Sequence, residues 1–192
     1  MAYDRPQFRT EIRKTRKSCN DVGHAHFLTY FCHQRLPLLS TDRSRQWVID
    51  AMSRVRISQH VELWAYVVMP EHVHVLLCPL DPDYEMKYIL TALKRPVADA
   101  ARAYLTESDE EVWLRRRSVT YPSRTVFRFW QPGGGYDRNV FRQYRLPQLV
   151  DYIHNNPVRR GLVSTPAEFN WSSARFWDGA VDVPIRMDAF EL

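Results

Sequence analysis

Cysteine is scarce in this sequence, and the cysteines that it has are poorly placed for a structural site. Cys19, Cys32 and Cys78 are odd in number and widely separated. This spacing indicates neither a disulfide framework nor a CxxC-type zinc site. It fits a reducing compartment, where disulfide bonds are rare.

Long apolar runs are also missing. Hydrophobic residues make up 45% of the chain, yet no run approaches the roughly 20 residues that a membrane-spanning helix requires. The charged N-terminus lacks the pattern of a signal peptide. We therefore expect a soluble, cytoplasmic protein, and a length of 192 residues makes one domain the default.

Acidic residues are nearly absent from residues 113–145. Eight arginines and one aspartate, Asp137, give this segment a formal charge of +7, whereas the whole chain carries +5. Aromatic residues lie between the arginines, as on a surface that binds phosphates and stacks bases. The same composition fits a solvated basic face whose aromatic rings turn into the core. The candidate DNA-binding residues are Arg115, Arg116, Arg117, Arg124, Arg128, Arg138 and Arg142.

Hydrophobic periodicity predicts an alternation of strands and helices. The predicted strands cover residues 26–32, 61–69 and 73–79, with a fourth at residues 126–130, VFRFW. The predicted helices run from Thr41 or Asp42 to about Ile57, over residues 86–105 and over residues 146–156. Pro96 should kink or split the second helix, and Pro157 should end or kink the third. The stretch QPGGGYDRN, residues 131–139, is predicted to be irregular because proline and glycines interrupt it.

The order strand, helix, strand, strand, helix, strand is typical of a ferredoxin-like α+β sandwich. In this fold, helices cover one face of an antiparallel sheet. We place the domain at residues 24–177, between a basic N-terminal arm at residues 1–23 and an acidic C-terminal tail at residues 178–192. The tail either packs on the core or covers a DNA channel.

Two histidines lie one residue apart in the third predicted strand, within VVMPEHVHVLLCP. Because side chains alternate along a strand, His72 and His74 project from the same face. Two imidazoles close together on a rigid sheet are half of a metal site. The pair also fits two partly buried histidines that are hydrogen-bonded to their neighbours.

A tyrosine and an asparagine are spaced by four residues in DYIHNNPVRRGLV. On a helix, Tyr152 and Asn156 face the same point. A phenol can act as a nucleophile, and an amide oxygen can bind a hard metal ion. The alternative is that Tyr152 packs on the sheet and Asn156 caps the helix. A second such pair, Tyr144 and Gln148, ranks lower because Pro147 lies between them.

Together the two stretches resemble a known family. PEHVHVLL is similar to the histidine–hydrophobic–histidine signature of the HUH endonucleases. YIHNNPVRRGLV is similar to the tyrosine helix of the single-tyrosine transposases, in the form found in REP-associated tyrosine transposases (RAYTs). The order and separation of the motifs also match, over roughly residues 24–177.

The resemblance implies a fold, a chemistry and a set of residues. His72, His74 and Asn156 would bind a divalent metal ion, Mg²⁺ or Mn²⁺, and Tyr152 would be the nucleophile. Members of this family have the ferredoxin-like fold, cut single-stranded DNA near imperfect hairpins and become joined to the DNA through the tyrosine. The implied partner is therefore single-stranded DNA with hairpin structure, and the implied location is the nucleoid. A monomer is favoured over a homodimer.

Two other functions remain open from the sequence. A domesticated protein could bind structured single-stranded DNA or RNA as a regulator without cutting it. A metal-dependent phosphodiesterase could use water as its nucleophile and leave no covalent adduct. The presence of Tyr152 beside His72, His74 and Asn156 argues against pure binding, because a binding protein needs no nucleophile.

Overall fold

The computed structural model describes residues 20–108, 110–140 and 145–189, and only the backbone of Arg116. The strands of this part are β1 (Ala25–Phe31), β2 (Val61–Val68), β3 (His72–Pro79), β4 (Ser118–Tyr121), β5 (Arg124–Phe127) and β6 (Tyr136–Val140). Its helices are α1 (Asp42–Ser58), α2 (Met86–Glu107), α3 (Glu111–Arg116), α4 (Leu146–His154), α5 (Asn156–Arg159) and α6 (Ala174–Trp177). The predicted Arg142 and Tyr144, and most of the predicted N-terminal arm, lie outside the described residues.

Four of the strands form the central antiparallel sheet, in the order β2-β3-β1-β6. With α1 after β1 and α2 after β3, the chain follows the strand and helix order of a ferredoxin-like sandwich. The predicted α+β fold class is confirmed. The sheet also divides two apolar clusters, because alternate residues of each strand project to opposite faces.

Helices α1 and α2 cover one face of the sheet. The hydroxyl of Thr41 accepts a hydrogen bond from the backbone of Ser44 at 3.2 Å, which caps α1 as the sequence predicts. Pro96 lies inside α2 without splitting it. A proline there costs about 3 kcal/mol, whereas full burial of a leucine or valine contributes about 1.5–3 kcal/mol. Because α2 buries both Leu93 and Val97 beside the proline, packing outweighs the lost hydrogen bond.

The prediction of a fourth sheet strand at residues 126–130 is wrong. Residues of this stretch up to Phe127 belong to β5, which pairs with β4 in a separate hairpin. Phe129 and Trp130 turn into the core, where the Trp130 ring lies 5.0 Å from that of Tyr30. Two aromatic rings at this position favour the core over an exposed sheet edge.

The strand that completes the sheet is β6, within the stretch predicted to be irregular. It pairs with β1 from Thr29 opposite Tyr136 to Ala25 opposite Val140. Gly135, just before it, has a φ of +77°, and a Cβ built there would lie 2.4 Å from the carbonyl oxygen of Thr29. The glycine therefore lets the chain approach the edge of β1, and the prediction of irregular structure is wrong for residues 136–139.

Replacing Gly135 by alanine should destabilise the protein by more than about 2 kcal/mol, because the new Cβ meets backbone and the φ is unfavourable. Gly133→Ala is the matched control, since Gly133 has a φ of +94° but no atom within 4 Å of its added Cβ. It should cost only about 1 kcal/mol. Urea unfolding of both variants measures the difference. Equal losses would show that the close approach to β1 is unimportant.

The second face of the sheet is covered by α4. Leu146, Val150 and Ile153 of this helix are buried against Phe27 and Leu76. The sheet is thus packed on both sides, with α1 and α2 on one face and the helix of the tyrosine motif on the other. This arrangement brings the two sequence motifs to the same face.

The C-terminal segment packs on the side of the sheet that α1 and α2 cover. Ile185 and Met187 are buried in the same cluster as α1 and α2. Asp188 accepts a hydrogen bond from the backbone of Leu63 at 2.9 Å and forms an ion pair with Arg56. The described part of this segment, up to residue 189, is therefore attached to the core. None of the helices in the described residues has both the length and the apolar character to cross a membrane.

Candidate active site

The antiparallel pairing of β1 and β3 sets the position of the two histidines. His72 lies opposite Phe31, and His74 lies opposite Thr29. Only 7% of His72 and 5% of His74 is exposed. Both imidazoles project to the face that α4 covers, as their spacing in the strand predicts.

The two imidazoles turn their Nε2 atoms towards each other, at a separation of 3.1 Å. Their Nδ1 atoms have other partners. Nδ1 of His72 lies 3.1 Å from the carboxylate of Glu71, and Nδ1 of His74 lies 2.7 Å from the hydroxyl of Thr29. A carboxylate accepts only, so Nδ1 of His72 carries the proton and its Nε2 has a free lone pair.

The environment keeps both imidazoles neutral at pH 7. Burial, and to a smaller extent the neighbouring His72, lowers the pKa of His74 to about 3, although a hydrogen bond with Asn156 opposes this change. Burial also lowers the pKa of His72, although the Glu71 carboxylate raises it. Neutral imidazole is the form that binds metal ions.

Helix α4 places Tyr152 beside His74. The two ring centroids are 5.6 Å apart, and the Tyr152 ring also meets Phe27 edge-on at 5.9 Å. Tyr152 remains 39% exposed, so its phenol is open to a ligand. The guanidinium of Arg159 lies 5.0 Å from the Tyr152 ring centroid.

Asn156 follows the tyrosine by one helical turn. Its side-chain nitrogen donates to the carbonyl of Tyr152 at 2.7 Å, at the break between α4 and α5 that precedes Pro157. This bond uses one of the two hydrogens of the amide nitrogen, and a hydrogen bond between Asn156 and His74 raises the pKa of that imidazole, as an accepting amide oxygen would. The structure therefore brings His72, His74, Tyr152 and Asn156 together.

The donor atoms present fit a divalent cation. Two cis nitrogen ligands at about 2.1 Å from one ion lie about 3 Å apart, which matches the 3.1 Å between the two Nε2 atoms. In the described part of the chain, no group of three histidine, cysteine, aspartate or glutamate residues could hold a metal ion. A third protein ligand would be of another type, for which the amide oxygen of Asn156 is a suitable hard donor.

The fold has a counterpart among solved structures. It is similar to a REP-associated tyrosine transposase bound to a REP hairpin, with a TM-score of 0.63 and 20% sequence identity, over 92% of this chain and 93% of that chain. This chain shares the RAYT fold. A candidate transposase from Deinococcus radiodurans R1 is also similar, with a TM-score of 0.45 and 20% identity, over 73% of this chain and 96% of that chain. No family model and no curated protein matches the chain.

Within this RAYT fold, two residues that the sequence reasoning missed orient the histidines. Glu71 accepts hydrogen bonds from His72 and from Arg160, the latter at 2.6 Å. Glu71 thereby links the turn before β3 to the later part of the stretch DYIHNNPVRRGLV. Glu71 is next to His72 in sequence and could have been found there, whereas Thr29 is identified only by the pairing of β1 with β3.

The predicted DNA-binding arginines divide into several groups. Arg124 and Arg138 are exposed, and Arg138 lies opposite Phe27, hence on the face of Tyr152. Arg128 donates to the hydroxyl of Tyr121 at 3.0 Å, and Arg115 forms a long ion pair with Glu111 at 3.7 Å. Arg117 is only 8% exposed, and its backbone carbonyl accepts a hydrogen bond from the backbone N–H of Arg128. The side chain of Arg116 and all of Arg142 lie outside the described part.

Proposed function

We propose that this protein is a metal-dependent endonuclease and strand transferase that cuts single-stranded DNA near hairpins through a covalent 5′-phosphotyrosine. The observation that carries the proposal is the position of Tyr152, whose ring lies 5.6 Å from that of His74, beside two Nε2 atoms 3.1 Å apart. A phenol, two neutral imidazoles and an amide oxygen close together are what this chemistry requires.

His72, His74 and Asn156 would hold a divalent ion such as Mg²⁺ or Mn²⁺. When bound, the ion supplies Lewis-acid stabilisation of the charge that develops on the phosphate oxygens. Glu71 and Thr29 hold the two imidazoles in place through their Nδ1 atoms. With a proton on Nδ1 of His74, donated to the Thr29 hydroxyl, both Nε2 lone pairs face the same point.

The chemical step exchanges one phosphoester for another. The phenolic oxygen of Tyr152 bonds to phosphorus, the bond from phosphorus to the 3′-oxygen breaks, and the phenolic proton passes to solvent while the 3′-oxygen gains one. The products are a 5′-phosphotyrosine and a 3′-hydroxyl. Because the number of phosphoester bonds is conserved, a 3′-hydroxyl can later attack the phosphotyrosine and rejoin a strand without an external energy source.

The DNA partner is proposed from the arginines and from the related structure. Arg124 and Arg138 are exposed on the part of the chain that carries most of the positive charge. The transposase with the similar fold was bound to a REP hairpin, which supports a hairpin substrate here. The proposed acting form is a monomer.

One experiment separates the proposal from its alternatives. The protein is incubated with a hairpin oligonucleotide that has single-stranded flanks and a label at its 3′ end, with Mg²⁺, with Mn²⁺ or with EDTA. A labelled band that survives denaturation and depends on the metal supports the proposal. Cleavage without such a band would indicate the water-using phosphodiesterase, and binding without cleavage would indicate a regulator.

Thr29→Val should weaken Mn²⁺ binding by about 10- to 100-fold, because Nδ1 of His74 loses the group that orients the imidazole. Valine has nearly the same shape as threonine and keeps the strand. Thr29→Ser retains the hydroxyl and is the matched control, with affinity near that of the unchanged protein. Isothermal titration calorimetry measures both. Equal weakening in the two variants would count against an orienting role of the hydroxyl.

Binding of single-stranded DNA should weaken steeply with salt. About five phosphate contacts give a slope of about −3.5 in a plot of log binding constant against log salt concentration. Arg124→Gln and Arg138→Gln should each make the slope less negative by about 0.7. Arg54→Gln should not, since Arg54 is exposed on α1, on the other side of the sheet. Fluorescence anisotropy at several salt concentrations tests this, and a flat dependence would show that these arginines do not contact DNA.

A further inference from the structure

Four rings form a continuous row through the site. The Phe31 ring lies 5.3 Å from that of His72, the His72 ring 4.7 Å from that of His74, and the His74 ring 5.6 Å from that of Tyr152. An arginine stands at each end. The guanidinium of Arg35 lies 4.3 Å from the centroid of Phe31, and that of Arg159 lies 5.0 Å from the centroid of Tyr152.

The turn that presents Arg35 is conformationally unusual. Gln34 and Arg35 have φ angles of 55° and 54°, in the left-handed region. Each such residue costs about 1 kcal/mol or more when it is not glycine, and strain of this kind concentrates at ligand-binding positions. The surrounding structure enforces the turn, because Gln34 donates its backbone N–H to the side chain of Gln131 at 3.1 Å and Cys32 donates to the carbonyl of Glu71 at 2.8 Å.

Both end arginines keep their charge available for a ligand. Each is exposed, and neither forms an ion pair with a carboxylate in residues 20–108, 110–140 and 145–189. Arg35 is near enough to His72 to lower the pKa of that imidazole by its charge. Arg160 differs from them, since it is bound to Glu71 and serves the arrangement of the site.

We propose that Arg35 and Arg159 bind the two phosphates that flank the scissile phosphate, so that the single strand runs along the row of rings. This inference rests on the proposed function, because it assumes that the phosphate to be cut lies between Tyr152 and the two histidines. An arginine held flat on an aromatic ring loses little conformational freedom when it binds a phosphate.

The physical basis is the regular spacing of phosphate charges along a DNA strand. A DNA strand carries one charge per nucleotide, so a strand whose central phosphate is at the nucleophile must place a phosphate on each side. Two separate positive groups at opposite ends of the site can bind both neighbours and fix the register of the strand. The site would then require a continuous single strand with intact charge on both sides of the cut.

The test replaces phosphates one at a time by uncharged methylphosphonates in the single-stranded flank of a hairpin oligonucleotide. Binding is measured by fluorescence anisotropy in the Tyr152→Phe background, which keeps the ring under Arg159 and prevents cutting. At two of the linkages, the methylphosphonate should lower the affinity of the protein for the oligonucleotide by about tenfold. Arg35→Ala should remove the effect at one of them and Arg159→Ala at the other. The cut linkage, mapped with unmodified Tyr152, should lie between the two.

The controls distinguish this inference from the proposed function. Arg35→Lys and Arg159→Lys retain the charge and should retain the two effects, and Arg54→Ala on α1 should change none. Unchanged effects in both alanine variants, or removal of the same effect by both, would overturn the inference. If unmodified protein forms no covalent adduct, the proposed function fails, while the binding map still shows whether the two arginines contact separate phosphates.

Discussion

Tyr152→Phe should abolish the covalent protein–DNA adduct while the protein stays folded and bound to the hairpin. The substitution removes one oxygen and little volume, and the ring keeps its contacts with Phe27 and His74. Without the phenolic oxygen no phosphotyrosine can form, so the labelled band should fall by at least about 1000-fold, to the background of the assay. The melting temperature should change little, because the hydroxyl is at an exposed position.

Two other tyrosines provide the controls for this result. Tyr144→Phe tests the rival motif and should retain the adduct. Tyr88→Phe removes a phenol that is 60% exposed on α2, on the opposite face of the sheet, and should also retain it. Mass spectrometry of the trapped adduct identifies the residue and the DNA end. A nucleotide on any residue other than Tyr152, or one joined through its 3′ end, would refute the assignment.

His72→Ala and His74→Ala should each abolish cutting while hairpin binding stays within about tenfold of the unchanged protein. In the proposed function, the two imidazoles would supply metal donors, whereas the arginines would supply most of the affinity for the DNA backbone. Cleavage is measured with Mn²⁺ in excess and binding by anisotropy at the same ionic strength. We expect cleavage to fall by at least about 1000-fold, because the one imidazole that remains in each variant cannot hold the ion without the other.

His154→Ala is the matched control for these two variants. His154 is also a buried imidazole, but its Nε2 lies 2.8 Å from the hydroxyl of Ser173, away from the other two histidines. It should lower stability and leave cleavage of the folded fraction largely intact. Equal loss of DNA binding in His72→Ala or His74→Ala, with the fold intact, would contradict the division between metal ligands and arginines.

The parts of the fold that follow local rules could be predicted from the sequence. Helix α1 has a threonine cap and a regular apolar face, and β3 has an uninterrupted apolar run around the two histidines. The same-face arrangement of His72 and His74, and of Tyr152 with Asn156, follows from the geometry of a strand and of a helix. These positions are therefore set by neighbours in the chain.

The errors occurred where distant residues decide the structure. VFRFW has the composition of a strand, but Phe129 and Trp130 are buried at the side of the sheet, and β6 takes the edge position because Gly135 permits a close approach. Thr29 is 45 residues from His74, so nothing in local sequence indicates its contact. The side-chain directions of the arginines also depend on packing, as the burial of Arg117 shows.

The sheet separates two apolar clusters, and His74 and Tyr152 contact Phe27 of the smaller one. Helices α1 and α2, together with the C-terminal segment, hold the larger cluster on the far side. Among the described residues, α4 covers the near side through Leu146, Val150 and Ile153, and the segment that follows it adds Phe169. Regions with less buried apolar contact open at lower free energy than the global unfolding of a domain. In the proposed mechanism, a DNA strand joined to Tyr152 would be attached to the layer with the smaller apolar cluster, whereas the two histidines stay on β3 of the central sheet.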